Sequence, residues 1–255
     1  MSTGGGFDLK IERAKFHFET IKPKIETFDE AQDHCTWERE LKRNGRDHIY
    51  RVKTVKDAPT SWGPVIGDFL SNMRSALDIL AYQLALSAKV ALTSAQKRDL
   101  AFPVLSTYRE FLDFVPRLTP MDMKAIAAIE ALQPYRRRNA ATHALMVLHR
   151  LDKINKHRNI HVTAASTKFV AQFLPDPEPK QRWFGGEALK PGAEIGRYIF
   201  AEPHPEVDMN PTFGFRVIID DSAMPPGEGL NDLFGRICRY VDNEVVPSLV
   251  PLLVP

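Results

Sequence analysis

Cysteine is scarce in this chain. Cys35 and Cys238 are the two present among 255 residues, too few for the disulfide framework of a small secreted domain, and they fit reduced thiols in the cytoplasm. Long apolar runs are also missing. The most hydrophobic stretch, 76–92, carries Asp78, Gln83 and Lys89, and it is too short and too polar to cross a bilayer. The opening residues MSTGGGF lack the apolar core of a signal peptide and read as a loose tail over 1–6. No charge of one sign predominates, because 34 basic residues against 32 acidic ones leave +2. That balance excludes a chain-wide nucleic-acid footprint and leaves room for a local basic patch. The chain has no Gly-rich phosphate loop, no Gly-x-Ser-x-Gly elbow and no Cys/His nucleophile signature, so no cofactor is expected. Internal repeats and low-complexity tracts are lacking too. What remains has an ordinary globular composition, 44% hydrophobic and 26% charged, and is expected in the cytoplasm without membrane contact.

Apolar residues at three-and-four spacing predict a helix over 7–32, which Pro23 should kink or split. Asn44-Gly45 is then a type I′ turn pair between two strand-like segments. Pairing counted outward from it sets Lys42 opposite Asp47, Leu41 opposite His48, Arg39 opposite Tyr50, Glu38 opposite Arg51 and Trp37 opposite Val52. Trp37, Leu41, Tyr50 and Val52 share one face, and the opposite-charge pairs share the other. A long helix over 61–92 is apolar nearly all round beyond Ala76, which marks a buried central element. Shorter helices fit 107–115, 119–132 (capped by Thr119, with Pro120 in its first turn) and 143–158 (capped by Thr142). Strands fit 162–164, 168–174, 196–201 and 213–219, separated by stretches rich in Pro and Gly, and 230–249 returns to helix. The fold class expected is α+β. A mainly helical bundle core (7–161 and 229–250) carries an early β-hairpin (about 35–55) and a β-rich segment (about 162–220), read as one domain over 7–255.

Candidate chemistry gathers in two stretches. In 143–161 the residues Ala144, Val147, Leu148, Leu151 and Ile154 form one apolar stripe of a helix. Asn155 and Arg158 point into that stripe, His143, Arg150, His157 and His161 follow its edge, and Lys153 and Lys156 face solvent. An Arg facing a core needs a carboxylate. Asp78, from Asn72-x-Arg-Ser-Ala-Leu-Asp78, is the first-choice partner for Arg158, with Arg74 one helical turn before it. A simple Arg74–Asp78 ion pair on an exposed surface is the plainer alternative. His157-x3-His161 has metal-like spacing, but it lacks the Glu of a His-Glu-x-x-His site and has no nearby Cys, so no metal is expected.

These two stretches together resemble a group of uncharacterised bacterial proteins that share an early Arg-Ser-Ala-Leu-Asp helix and a later Asp/Asn-Lys-His-Arg-x-x-His segment. The likeness spans roughly 11–161 and implies no established activity. More distantly the arrangement resembles the HEPN superfamily of helical-bundle domains. Many of these are metal-independent ribonucleases that carry Arg-x(4–6)-His on a helix and pair two such motifs across a homodimer. That resemblance implies RNA as partner, with Arg150, His157 and His161 as catalytic residues. Arg74, Asp78, Asn155, Lys156 and Arg158 form the polar cluster beside them. Leu151 stands where the family pattern carries a polar residue. Arg138-Asn-Ala-Ala-Thr-His143 has the better second residue but sits at a helix entry. In such chemistry His moves the proton near neutral pH and Arg holds the phosphorane charge, while Arg136, Arg137 and Arg138 would attract phosphate. The rival expectation is a non-catalytic structural or protein-interaction domain whose Arg/His/Asp cluster only locks helix packing.

Overall fold

The computed structural model describes residues 6–31, 35–157, 160, 162–170, 177–184, 189–207, 212–219 and 228–253. The fold is α+β with a helical core and an N-terminal antiparallel hairpin, as the apolar periodicities require. Its elements fall into two compact units: 1–21, 63–160 and 231–255 in one, 22–62 and 161–230 in the other. The second unit therefore joins the early hairpin with the late β-rich segment.

The helical unit takes the first part of α1 (Gly6–Glu30) and nearly all of α2 (Trp62–Ser87). It adds α3 (Ser94–Asp99), α4 (Tyr108–Leu118), α5 (Met123–Ala131), α6 (Ala144–His157), α7 (Leu230–Tyr240) and α8 (Val246–Leu249). α2 is the central element. Ile66, Phe69, Leu70, Met73, Leu77, Leu80 and Leu84 are all 1% exposed or less, which is the stripe that the spacing predicts. Phe69 stacks on Phe234 of α7 at 4.0 Å, and Phe18 of α1 meets both rings edge-on. This aromatic clasp fastens three helices that are distant in sequence.

Several helix ends differ from expectation. α1 runs through Pro23 without splitting. Proline removes one N–H there, and the rest of the helix is held by burial of Ile21 and Ile25 on either side. The helix over 119–132 is instead 123–131, because Thr119 bonds back to the Pro116 carbonyl and the Asp122 carboxylate accepts the Lys124 N–H. Thr142 does not cap α6; the Nδ1 of His143 accepts the Leu145 N–H at 3.3 Å. α3 was not foreseen, although Thr93-Ser-Ala-Gln96 is a complete capping box. The C-terminal helix is broken by a π turn over Val241–Val245, where the Val246 N–H reaches back to the Val241 carbonyl. Pro247 cannot give the α-helical N–H to Asn243, so the ladder reorganises just before it.

In the second unit β1 (Cys35–Lys42), β2 (Asp47–Val55), β5 (Glu194–Ile199) and β4 (Gln181–Phe184) form an antiparallel sheet in the order β1-β2-β5-β4. β3 (Val162–Val170) pairs with β6 (Thr212–Ile219). The hairpin has the predicted register, with Trp37 opposite Val52 and Lys42 opposite Asp47. Asn44 (φ 56, ψ 37) and Gly45 (φ 85) take the left-handed conformations of a type I′ turn, and the Arg46 N–H closes it on the Arg43 carbonyl. Glycine is required at 45 twice over, since a Cβ would also come within 2.9 Å of Pro205. The ion pairs run diagonally where direct ones were expected: Arg51 pairs with Glu40, and Arg43 pairs with the buried Asp47. Cys35, Tyr50, Val52, Ile195, Tyr198 and Phe200 make the core of this unit.

Candidate functional site

The helical unit contains three polar constellations, beginning with a seam between α2 and α6. Gly67 lets the two helices approach closely, because a Cβ there would overlap the Asn155 amide. Asn155 Nδ2 donates to the Gly67 carbonyl at 3.3 Å and to Ser71 Oγ at 3.2 Å. Ser71 in turn donates to Asp152 Oδ1 at 3.2 Å, and Lys156 pairs with Asp152 Oδ2 at 2.7 Å. Asp152 is 3% exposed, and the sequence reading missed it. The signal that could have found it is its position one turn before Lys156 on the apolar side of α6.

Further along α2, Arg74 Nη2 bonds both Asp78 Oδ1 at 2.8 Å and the Phe102 carbonyl at 2.6 Å, while the Phe102 N–H donates to Asp78 at 2.9 Å. Arg74 is 8% exposed, so this pair is no surface decoration. It pins the loop that follows α3 onto the central helix. Burial pushes the Asp78 carboxyl above its ordinary pKa, outweighing the attraction of Arg74. Burial lowers the pKa of His149 on α6, and the Arg74 charge adds to that. Arg74, Asp78 and Asn155 thus join inter-element contacts, while Lys156 pairs with Asp152 within α6. Arg158, the expected partner of Asp78, lies outside the described residues, and Asp78 is held by Arg74.

The second constellation is the edge of α6. Arg150 Nη1 donates to the Ala141 carbonyl at 3.3 Å, so its guanidinium lies toward the start of the helix. His157 is exposed on the last turn. Seven residues separate them, about 10 Å along the axis, and Arg150 reaches away from His157. Within one chain they do not converge on a single phosphate. His161 lies outside the described residues.

The third constellation is an open cleft of about 410 Å³ lined by Arg137, His143, Ala144, Arg236, Arg239, Tyr240, Asn243 and Glu244. α6 begins on its wall, and the π turn supplies Asn243 and Glu244. Arg236 Nη1 donates to the Thr142 carbonyl at 2.8 Å. Arg137 faces Glu244 at 3.5 Å, with both side chains about half exposed. The His143 ring meets Tyr240 edge-on at 4.5 Å, and Tyr240 donates its hydroxyl to the Leu132 carbonyl. Burial, reinforced by Arg137 and Arg236, lowers the His143 pKa to about 4, so the ring is neutral at physiological pH. Its Nδ1 accepts a hydrogen bond, so the proton sits on Nε2, a buried atom with no partner. Arg236, Arg239 and Tyr240 were not singled out from sequence, because the approach of α7 to the start of α6 is a tertiary event.

Among the described residues no three His, Cys, Asp or Glu are grouped to hold a metal, and no helix is long and apolar enough to cross a membrane. Cys35 and Cys238 are buried, and burial raises both thiols to about 11, which makes them poor nucleophiles. Comparisons with protein-family profiles, curated proteins and solved structures gave no match.

Proposed function

We propose that the chain is a HEPN-like helical domain that acts on RNA in the cytoplasm. The observation that carries this reading is the Arg150–Ala141 hydrogen bond, which holds the motif arginine against the loop that follows Arg136, Arg137 and Arg138. With Lys153, Lys156 and His157 also exposed on α6, the α6 edge offers a phosphate backbone a row of cations. Cleavage would need no metal: His157 would exchange the proton and Arg150 would hold the developing charge. Because the two diverge within one chain, the shared site is built from two copies, Arg150 from one and His157 from the other.

The test is incubation of purified protein with single-stranded RNA in excess chelator. Cleavage is expected, with loss in His157→Ala and Arg150→Ala and only partial recovery in Arg150→Lys, since an ammonium lacks the planar fork. Specific activity should fall on dilution as the dimer separates. Cleavage that survives both alanine substitutions refutes the assignment. A second reading, a non-catalytic scaffold, is favoured by the seam itself: Arg74, Asp78 and Asn155 are all engaged in packing against other elements. RNA left intact and unbound by the wild type would decide for that reading.

A further inference from the structure

We infer that His48 is a proton-operated latch: with a neutral ring it fastens the strap 200–207 over the Asn44-Gly45 turn, and a second ring proton releases that strap. The strap follows β5 and crosses the hairpin turn. The Phe200 N–H donates to the Arg46 carbonyl at 2.8 Å, and the His204 N–H donates to the Gly45 carbonyl at 3.0 Å. Pro203 and Pro205 flank His204, so neither neighbour has an N–H to add. Strap and turn touch at Gly45, where a Cβ would come within 2.9 Å of Pro205.

The His48 side chain joins the two. It is fully buried, and its Nε2 lies 3.2 Å from the Gly45 carbonyl oxygen and 3.1 Å from that of His204. Carbonyls only accept, so Nε2 carries the proton and Nδ1 the lone pair. One N–H thus ties turn and strap together. Nδ1 is buried and has no hydrogen-bond partner among the described residues. The Phe200 ring lies 5.0 Å from the imidazole, and Leu41 of β1 and Tyr198 of β5 are the cross-strand neighbours of His48.

A second proton can enter only at Nδ1, where it makes a buried cation whose new N–H has no acceptor. Two neighbours oppose that charge. Arg39 of β1, which also donates to the Val207 carbonyl of the strap, and the His204 ring both disfavour it. The carboxylates around the turn are engaged elsewhere. Glu206 faces the His204 ring at 3.6 Å, Glu202 pairs with Arg46 at 3.2 Å, and Asp47, on the other face of β2, pairs with Arg43. Burial, with Arg39 second, holds the His48 pKa below its ordinary value. The latch therefore contributes fully above the unfolded value of about 6.5 and is lost as pH falls from there to the folded value. Lifting the strap is a local opening that lets water reach Nδ1 with the β1–β2 ladder intact. The inference is independent of RNA cleavage, in which His48 and the strap take no part.

Imidazole NMR and amide hydrogen exchange on the full chain, from about pH 8 to about pH 4, test it. The His48 ring should carry its proton on Nε2 at the upper end and titrate with a midpoint below that of an unfolded histidine. As pH falls from about 6.5 to that midpoint, protection of the His204 and Val207 amides should drop by about tenfold per pH unit, as linkage to one proton requires. Amides in the middle of α2 should keep theirs. His48→Gln, with a neutral amide, should abolish the pH dependence. His204→Gln, which leaves the backbone N–H and carbonyl of the strap in place, should retain it. The wild-type titration decides the matter even where His48→Gln fails to fold. A ring proton on Nδ1, a midpoint at or above about 6.5, protection at 204 and 207 that ignores the ring's titration, or a pH dependence lost in His204→Gln would each overturn the inference.

Discussion

Replacing Asp78 by alanine should destabilise the helical unit severely, and the structure says by roughly how much. Asp78 Oδ1 accepts from Arg74 and from the Phe102 N–H. Without it, the guanidinium of Arg74, 9% exposed at its side chain, keeps the Phe102 carbonyl on Nη2, while its Nη1 already lacks a hydrogen-bond acceptor. Removing one member of a buried ion pair costs about 3–5 kcal/mol. The Asp78 side chain is 36% exposed, so water can partly replace it, and about 3 kcal/mol is the reasonable figure. For a chain of this size that is a fall in melting temperature of roughly 6–12 °C. Asp78→Asn should cost less, because an amide oxygen still accepts both hydrogen bonds while the buried charge is gone. That order follows from the raised Asp78 pKa, which says that desolvation of the carboxylate outweighs its attraction to Arg74.

The sign of the pH dependence follows as well. With the folded pKa above the unfolded one, the folded state holds the extra proton between the two values. The contribution of this group is therefore greatest in acid and is lost as pH rises through that window. Joint replacement, Arg74→Met with Asp78→Leu, should recover most of the stability, since an apolar pair of similar volume often matches a buried ion pair. Calorimetric melting of the four proteins checks the series. If Asp78→Ala melts with wild type, the pair is not buried in solution and the scaffold reading loses its ground.

Two further outcomes are expected. Gly67→Ala should lose about 1–3 kcal/mol by displacing the Asn155 amide from Ser71 and the Gly67 carbonyl; adding Asn155→Ala should restore much of it, and chemical denaturation of single and double variants would detect a seam that does not couple. The His143 ring should titrate near pH 4 by NMR: a folded pKa below the unfolded value of about 6.5 means that its contribution to stability is lost as pH falls from the upper value to the lower, and a midpoint near 6.5 would show that the ring is not buried beside Arg137 and Arg236.

The sequence by itself determined what depends on near neighbours. The Asn44-Gly45 turn dictates its own backbone, and alternation then has one register that keeps Trp37, Tyr50 and Val52 together, so the hairpin is recovered pair by pair. The apolar stripe of α2 likewise announces a central helix, because a face that wide must be covered. Local caps mark two helix starts, Thr107 with Glu110, where a helix was expected, and Thr93 with Gln96, where none was. Thr119 and Thr142 misled because a hydroxyl's partner depends on where the chain goes next. The polar residues of the RSALD helix were found, Arg74 pairs with Asp78 as the plainer alternative had it though at a buried position, Arg158 lies outside the described residues, and Asp152 was overlooked. Only the tertiary structure decided the cleft. His143 leaves no periodic trace that ties it to Arg236 and Tyr240, nearly a hundred residues on. Their meeting depends on the clasp of Phe18, Phe69 and Phe234 that sets α7 in place, and on Pro247, whose missing N–H loosens one turn and carries Asn243 and Glu244 to the rim.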